Sequence, residues 1–148
     1  MGKERHNIVP AAYLFLIDGN KVLLSRRFNT GYEDGNYSMV AGHVDHDESF
    51  VQCIIREARE EAGITLKAED LKVVHIMQRI TAEAQNNERI DIFFKTDKWE
   101  GNIENREPNK CDDLSWFNLG ALPENTIPYI KSALENIKNN NHYSEFGW

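Results

Sequence analysis

The densest group of chemically capable residues lies between Gly42 and Ile64, where the chain reads GHVDHDESFVQCIIREAREEAGI. Glu57, Glu60 and Glu61 stand close together near the end of this segment. On an α-helix their carboxylates share a stripe of roughly 100°. Carboxylate oxygens are the ligands that Mg²⁺ and Mn²⁺ prefer. The segment therefore indicates either a divalent-metal site or a solvated acidic helix face.

An apolar stripe adjoins the three carboxylates on the same predicted helix, and a sheet could cover it. It comprises Val51, Ile54, Ile55, Ala58 and Ala62. Like charges at the edge of a core are costly unless a positive charge joins them, and a bound cation supplies that charge. Hydrolysis of phosphoryl or pyrophosphoryl groups uses such an ion to neutralise the substrate and to position a water molecule. The pattern favours this chemistry.

The spacing of the fixed residues narrows the interpretation. From Gly42 to Ile64 the chain fits G-x5-E-x7-R-E-U-x-E-E-x-G-U, in which U is apolar. This pattern resembles the Nudix box, and the chain is identified as a member of the Nudix family. The resemblance implies an α/β fold, a Nudix-type α/β/α sandwich in which helices flank a mixed β-sheet. An EF-hand beginning at Asp45 is excluded because Phe50 stands where the sharp-turn glycine is needed.

The resemblance assigns roles to the box residues. Glu57 and Glu61 correspond to the principal metal ligands and Glu60 to a further ligand. Glu57 is alternatively the general base for the attacking water. Glu48 and Arg56 correspond to a pair that fixes the loop against the helix, because a guanidinium can hold a carboxylate through two hydrogen bonds. We therefore expect Glu48, Arg56 and Glu57 to support catalysis, with Mg²⁺ as cofactor and Mn²⁺ as a substitute.

Residues outside the helix are expected to complete the site. The Ala41 carbonyl is an expected metal ligand, and Glu107 is the expected acidic ligand from beyond the box. The expected substrate contacts are Arg26, Arg27, Gly42 and His43. Gly42 would let the loop backbone turn close to the metal, as glycine tolerates conformations closed to other residues.

Several of these side chains have a second interpretation. Arg26 and Arg27 also suit solvated strand-end residues, and His43 and His46 also suit exposed loop histidines. Three loop aromatics could either stack on a base or pack against the protein, and packing is the commoner role: Phe28, Tyr32 and Trp99. Trp116 is predicted to be a core residue, and Cys53 and Cys111 are predicted to be structural cysteines.

The rest of the chain predicts the elements that hold the site. One helix is predicted from residue 48 or 49 to Ala62, with Gly63 as its stop, and a second from Pro128 to Ile137. Residues 139–148 are predicted to form a C-terminal tail. Hydrophobic runs and turn residues predict strands over 8–17, 21–25, 37–41, 71–81, 89–96 and 114–119. This order implies a mixed sheet covered on both faces, within one domain over 1–148.

Composition restricts the partners. The 148 residues carry a net charge of −7, which argues against duplex nucleic acid as a partner. No apolar run is long enough to span a membrane, and only two cysteines occur. We expect a cytoplasmic monomer or homodimer that acts on a small nucleotide.

The resemblance also restricts the substrate, because Nudix enzymes cleave nucleoside diphosphates linked to another moiety. The chain has no proline between Pro10 and Pro108, where ADP-sugar enzymes carry a marker proline, and it lacks the SQPWPFPxS array of NADH enzymes and the coenzyme A signature. We therefore expect a MutT-like enzyme that converts a (deoxy)nucleoside triphosphate to monophosphate and pyrophosphate. The alternatives are pyrophosphatases of a nucleotide sugar, a dinucleoside polyphosphate or a capped RNA end, and a catalytically silent nucleotide sensor.

Overall fold

The strands of the chain join into a mixed β-sheet with a helix on each face. The computed structural model describes residues 2–81 and 87–148. Within them the elements run β1 (Val9–Asp18), β2 (Lys21–Arg27), β3 (Tyr37–Ser38), β4 (Ala41–His43), α1 (Phe50–Ala62), a 3₁₀ turn (Ala68–Asp70), β5 (Lys72–Ile80), β6 (Glu88–Thr96), β7 (Cys111–Asn118), α2 (Pro128–Lys138) and β8 (Tyr143–Phe146).

The strand pairing combines antiparallel hairpins with parallel crossovers. The order is β3-β2-β1-β6-β5-β8, while β4 pairs with β1 and β7 pairs with β2. β1 runs antiparallel to β2 and β4 but parallel to β6, and β5 runs antiparallel to β6 but parallel to β8. This arrangement confirms the predicted fold class, a mixed sheet flanked by helices.

Strand β1 divides the core because its side chains alternate between the two faces of the sheet. Tyr13 and Phe15 belong to the cluster that includes Ile130 and Leu134 of α2. The residues between them belong to the opposite cluster, which contains the apolar stripe of α1, and Leu14 is one of these. The stripe predicted for α1 thus packs on the sheet, and the carboxylates beside it are held at the edge of this core.

Local sequence rules determine where α1 begins and ends. The Ser49 hydroxyl accepts a hydrogen bond from the Gln52 amide at 3.0 Å, and the Gln52 side chain accepts one from the Ser49 amide at 2.9 Å. This reciprocal capping box satisfies two amides that the helix leaves unpaired. Gly63 ends the helix with φ of 69°, which lies in the left-handed region. Both predicted ends of this helix agree with the structure.

The predicted strand over 37–41 is wrong as a single element. Residues 37–38 form β3, which pairs with β2, whereas 41–43 form β4, which pairs with β1. The chain changes partner between them, where the Val40 carbonyl accepts a hydrogen bond from Leu14. The nearly continuous apolar pattern over 37–41 gives no sign of this change of partner.

The predicted C-terminal tail over 139–148 is also wrong, because β8 lies within it and extends the sheet beside β5. His75 of β5, which is fully buried, fastens this strand. Its ring nitrogens lie 2.7 Å from the Asn141 carbonyl and 2.7 Å from the Ser144 hydroxyl. Contacts between residues this far apart in the sequence leave no local sequence pattern, so the sequence does not predict β8.

None of the helices in the described ranges is long and apolar enough to cross a membrane.

We expect stability to depend on pH through His75. Burial lowers the pKa of His75, and the neighbouring His142 acts in the same direction, while the Asn141 carbonyl opposes both. The unfolded chain therefore binds more protons than the folded chain below the ordinary histidine pKa of about 6.5, so the free energy of unfolding falls as the pH drops through this range. Thermal melting between about pH 8 and about pH 5 should show a smaller decrease for His75→Gln than for the wild type.

The control for this prediction is His46→Gln, because the His46 side chain is 96% exposed. This variant should keep the wild-type dependence of melting temperature on pH. An identical pH dependence in His75→Gln and the wild type would contradict the prediction.

Candidate active site

Arg56 fastens the loop before α1 to the helix. Its Nε and Nη2 donate to the two carboxylate oxygens of Glu48 at 2.7 and 2.9 Å. These hydrogen bonds lower the pKa of Glu48 to about 2. Glu48 also accepts a hydrogen bond from the Asp45 amide, and Arg56 donates to the His43 carbonyl at 3.2 Å. The structure thus brings Glu48 and Arg56 together in the bidentate geometry that suits a guanidinium.

The third nitrogen of Arg56 connects this pair to the acidic face of α1. Nη1 donates to Glu57 Oε1 at 2.7 Å and to Glu60 Oε2 at 3.3 Å. The Glu57 side chain is only 13% exposed, whereas that of Glu60 is 50% exposed. Burial raises the pKa of Glu57, although the hydrogen bond from Arg56 opposes this shift. One guanidinium therefore contacts three of the box glutamates.

Gly42 allows β4 to approach the Glu57 carboxylate. A Cβ atom at this position would lie 2.1 Å from Glu57 Oε1 and 2.3 Å from its Cδ. These distances are shorter than real Cβ contacts, so a side chain here would displace either Glu57 or β4. The requirement for glycine therefore comes from the space that Glu57 occupies.

Glu61 is partly buried where α1 meets β4. Its Oε2 accepts a hydrogen bond from the Ala41 amide at 3.0 Å. Burial, and after it the negative charge of Glu57, raises the pKa of Glu61 well above its ordinary value. The sequence predicts a role for the Ala41 carbonyl, whereas the contact that the structure shows at this residue is made by its N–H.

The α1 carboxylates open onto a cavity of about 780 Å³, a volume typical of small-molecule sites. Glu107 lines the same cavity, and its charge contributes to the raised pKa of both Glu57 and Glu61. The structure therefore brings this predicted outer ligand near the box. All four predicted substrate-binding residues also line the cavity: Arg26, Arg27, Gly42 and His43.

The two arginines at the end of β2 already have protein partners. Arg26 Nε donates to Asp112 at 2.7 Å in a partly exposed ion pair. Arg27 donates to the Tyr32 carbonyl at 2.6 Å and to the Thr30 hydroxyl at 3.0 Å. Arg27 thus orders the loop after β2. Any contact between these arginines and a phosphate would have to add to these bonds or replace them.

The predicted aromatic and cysteine residues fall into different environments. Tyr32 lines the cavity, whereas Phe28 is 43% exposed. Trp99 and Trp116 pack against the α1-side core with their ring centroids 5.7 Å apart. Of the cysteines, Cys53 is buried in that core and Cys111 is partly buried at the cavity wall.

Sequence reasoning missed a group on the α2 side of the cavity. Arg79 of β5 and Asp91 of β6 are both buried and form an ion pair at 2.8 Å. The cavity wall here includes Tyr13 and Tyr129, whose hydroxyl groups are 2.9 Å apart. The sequence does contain a sign of this pair. Side chains alternate along a strand, so Arg79 takes the same face of β5 as the core residue Met77, and Asp91 takes the same face of β6 as the core residue Phe93. Paired charges at core-facing positions of predicted strands mark such a group.

The carboxylate oxygens of α1 suit a hard cation, although their side chains do not converge on a single point. Among the described residues, no three His, Cys, Asp or Glu side chains converge into a ready-made metal site. Instead, Arg56 donates a hydrogen bond to one oxygen of Glu57 and partly compensates its charge, and the Ala41 amide donates one to an oxygen of Glu61. The other carboxylate oxygens of Glu57 and Glu61 make no hydrogen bond within the described part of the chain. These oxygen donors at a cavity wall fit Mg²⁺ or Mn²⁺.

A family comparison agrees with this geometry. The model of the NUDIX domain matches residues 7–137, a range that contains β1 to α2. The chain belongs to the Nudix family. Its curated relatives include the NAD-capped RNA hydrolases NudC of Pseudomonas aeruginosa, 30% identical over 77% of this chain, and of Pseudomonas fluorescens, 32% identical over 84%. This Nudix chain spans 37% and 41% of the lengths of these two relatives.

Solved structures share the fold of this chain. A MutT Nudix hydrolase from Burkholderia pseudomallei superposes with a TM-score of 0.80 at 24% identity, covering 88% of this chain and 98% of that one. The MutT protein from Methanosarcina mazei Go1 gives 0.75 at 21% identity, covering 94% and 99%. At these identities the similarity establishes the Nudix fold.

We expect Gly42→Ala to destabilise the protein, because its Cβ would overlap the Glu57 carboxylate. Overpacking of this kind costs about 1–3 kcal/mol, so thermal melting should show a decrease of several degrees. The double variant Gly42→Ala/Glu57→Ala should recover part of the loss, since removing the carboxylate makes room for the methyl group.

Gly2→Ala is the matched control, as nothing lies within 4 Å of a Cβ atom there, and it should melt like the wild type. Strict additivity of the Gly42 and Glu57 changes would show that the two positions do not interact.

Proposed function

We propose that this protein is a divalent-metal-dependent hydrolase that cleaves the pyrophosphate linkage of a nucleoside diphosphate derivative, with a (deoxy)nucleoside triphosphate as its substrate class. The partly buried carboxylates of Glu57 and Glu61 on the cavity wall carry this proposal. Their burial with incomplete neutralisation is unfavourable unless a cation joins them. That cation would also offset the charge of a polyphosphate, which the acidic chain by itself repels.

Glu57, Glu60, Glu61 and Glu107 would hold the ion. When bound, Mg²⁺ acidifies its water and polarises the phosphoryl oxygens. Arg56 sets the direction of the Glu57 carboxylate, and through Glu48 it holds the loop before α1. Glu57 is the proposed acceptor of the proton from the attacking water, because its carboxylate lies at the cavity wall.

A second substrate class has specific support from the relatives named NAD-capped RNA hydrolases. A capped RNA end also contains a nucleoside diphosphate linked to another moiety. The net charge of −7 disfavours long contacts with an RNA backbone, which depend on basic residues. A nucleoside triphosphate, which needs no such contacts, is therefore the preferred proposal, with NAD-capped RNA as the alternative.

We expect hydrolysis of a nucleotide panel to require Mg²⁺ or Mn²⁺ and to stop in excess chelator. The panel should contain nucleoside triphosphates, a nucleotide sugar, a dinucleoside polyphosphate and NAD-capped RNA, with monophosphate and pyrophosphate as measured products. Glu57→Gln should lower kcat by at least about 10²-fold, the lower range for removal of a general base. Because the ion should bind the folded state, millimolar Mg²⁺ should raise the melting temperature of the wild type more than that of Glu57→Gln.

Lys67→Gln is the control, as Lys67 pairs with the exposed Glu100 away from the cavity and should retain activity and the Mg²⁺ effect. Full activity in chelator would refute metal dependence. Absence of hydrolysis combined with a normal Mg²⁺-induced rise in melting temperature would favour a nucleotide sensor.

We expect Arg56→Lys to lower kcat/KM at least tenfold with the fold intact by circular dichroism. Lysine keeps the positive charge but cannot bridge both oxygens of Glu48 while also holding Glu57. A tenfold loss corresponds to about 1.4 kcal/mol of activation free energy.

Glu48→Gln should cost less in the Arg56→Lys background than in the wild type, because both residues act through one contact. Additive losses would contradict this coupling and would leave the proposed metal ligands unaffected. Arg59→Lys, at an exposed position on the same helix, is the matched control.

A further inference from the structure

Glu107 differs from the other proposed ligands of the ion because it lies on a loop. Helix α1 fixes the spacing of Glu57, Glu60 and Glu61, whereas Glu107 lies between β6 and β7. Fixing a loop residue costs conformational entropy, so a ligand on a loop binds an ion well only when other contacts already hold it in place. The contacts around Glu107 therefore bear on the strength of the metal site.

The loop before Glu107 is hydrogen-bonded to the C-terminal end of α1. The Glu104 amide donates to the Ala62 carbonyl at 3.0 Å, and the Arg106 amide donates to the Glu61 carbonyl at 3.1 Å. The last carbonyls of a helix have no partner within the helix, and these two amides supply one. The backbone next to Glu107 is thus tied to the residue that carries the Glu61 carboxylate.

The Asn105 side chain closes the turn that contains Glu107. Its Oδ1 accepts a hydrogen bond from the Glu107 amide at 3.1 Å, and its Nδ2 donates to the Cys111 carbonyl at 2.6 Å. The Glu107 carbonyl in turn accepts hydrogen bonds from the Lys110 and Cys111 amides, both at 2.9 Å. Cys111 is the first residue of β7, which pairs with β2. Asn105 therefore connects the α1 end of the loop to the sheet, and Glu107 lies between the two attachments.

Asn105 influences the cavity through its neighbours. Among the described residues, the cavity lining includes Glu107 but not Asn105, which is partly buried. A carboxamide offers an acceptor and a donor at once, and asparagine side chains commonly bond the backbone two residues on. Alanine offers neither contact, and serine offers a hydroxyl that is too short to span the turn to Cys111.

The carboxylate of Glu107 remains available to an ion. Lys110 Nζ lies 3.9 Å from Glu107 Oε2, and partly exposed contacts of this kind are weak. Burial raises the pKa of Glu57 and of Glu61, and the charge of Glu107 adds to both shifts, so Glu107 lies close to these two helix carboxylates. The loop thus holds a further carboxylate where repulsion alone would move it away.

We propose that Asn105 is a positioning residue of the metal site, which holds the turn at Glu107 so that this carboxylate lies beside Glu57 and Glu61 before an ion binds. This inference rests on the proposed function, because it takes Glu107 as a ligand of the ion in that site.

The test measures Mn²⁺ binding to the full chain in the absence of nucleotide, with unbound Mn²⁺ followed by electron paramagnetic resonance. Asn105→Ala should weaken the affinity at least about tenfold, as is typical for loss of a group that orients a metal ligand. Asn105→Ser keeps an acceptor for the Glu107 amide, so its loss should be smaller. Asn102→Ala, at an exposed position in the same loop, is the matched control and should bind Mn²⁺ like the wild type.

A double-mutant cycle with Glu107 separates positioning from a general effect on the fold. Glu107→Gln should also weaken Mn²⁺ binding, and adding Asn105→Ala to it should cost less than about twofold, because both changes act through one carboxylate. A purely structural role would weaken binding equally in both backgrounds. Melting curves in chelator show which variants are folded, and Asn105→Ser replaces Asn105→Ala in the cycle if the alanine variant does not fold.

Three results would overturn the inference: wild-type Mn²⁺ affinity in Asn105→Ala, losses that add to those of Glu107→Gln, or no Mn²⁺ binding by the wild type. The nucleotide panel distinguishes this inference from the proposed function. If the cycle shows the coupling but no nucleotide is hydrolysed, the inference stands and the proposed function fails. If metal-dependent hydrolysis occurs while Asn105→Ala binds Mn²⁺ like the wild type, the inference alone fails.

Discussion

The site depends on the contact in which α1 brings carboxylates against the backbone of β4. Glu61 reaches the Ala41 amide and Glu57 fills the space beside Gly42, so two acidic side chains are partly buried a helical turn apart. Burial and mutual repulsion raise the pKa of both groups. The apolar stripe of α1 packs on the sheet and holds the helix in a position that its charges alone would oppose. A cation bound at the cavity wall would relieve the repulsion between these carboxylates.

Two arginines are positioned by carboxylates, but they act in different ways. Arg56 is partly exposed and divides its donors among several glutamates, so it orders a loop and directs side chains. Arg79 is buried at the cavity wall, compensated by a single aspartate and covered by Tyr129. The first arrangement organises the acidic residues of α1 and the loop before it. The second is a compensated pair that is fixed in the cavity wall.

The sequence predicts those features that local rules or fixed spacing control. The capping residue Ser49 and the stop at Gly63 define α1, and the resemblance to the Nudix box implies the pair of Glu48 and Arg56 that the structure contains. The features it does not predict arise from contacts distant in sequence. His75 fastens β8 across more than sixty residues, and Arg79 meets Asp91 only when β5 pairs with β6. Periodicity shows which face a residue takes but not which residue lies opposite.

Three arginines of the cavity wall are already hydrogen-bonded to protein groups, which bears on how an acidic protein could bind an anionic substrate. Arg26 and Arg27 bond to Asp112 and to the loop after β2, and Arg79 bonds to Asp91, so these three cations are largely satisfied before a ligand arrives. An ion held by the α1 carboxylates would add to the attraction for a polyphosphate that the cations of the cavity wall offer, which also include Arg89 and Lys110. Metal and nucleotide would consequently strengthen each other's binding by the same factor, since coupling between two ligands is reciprocal. Charge local to the cavity therefore decides whether a chain of net charge −7 can hold a small polyphosphate.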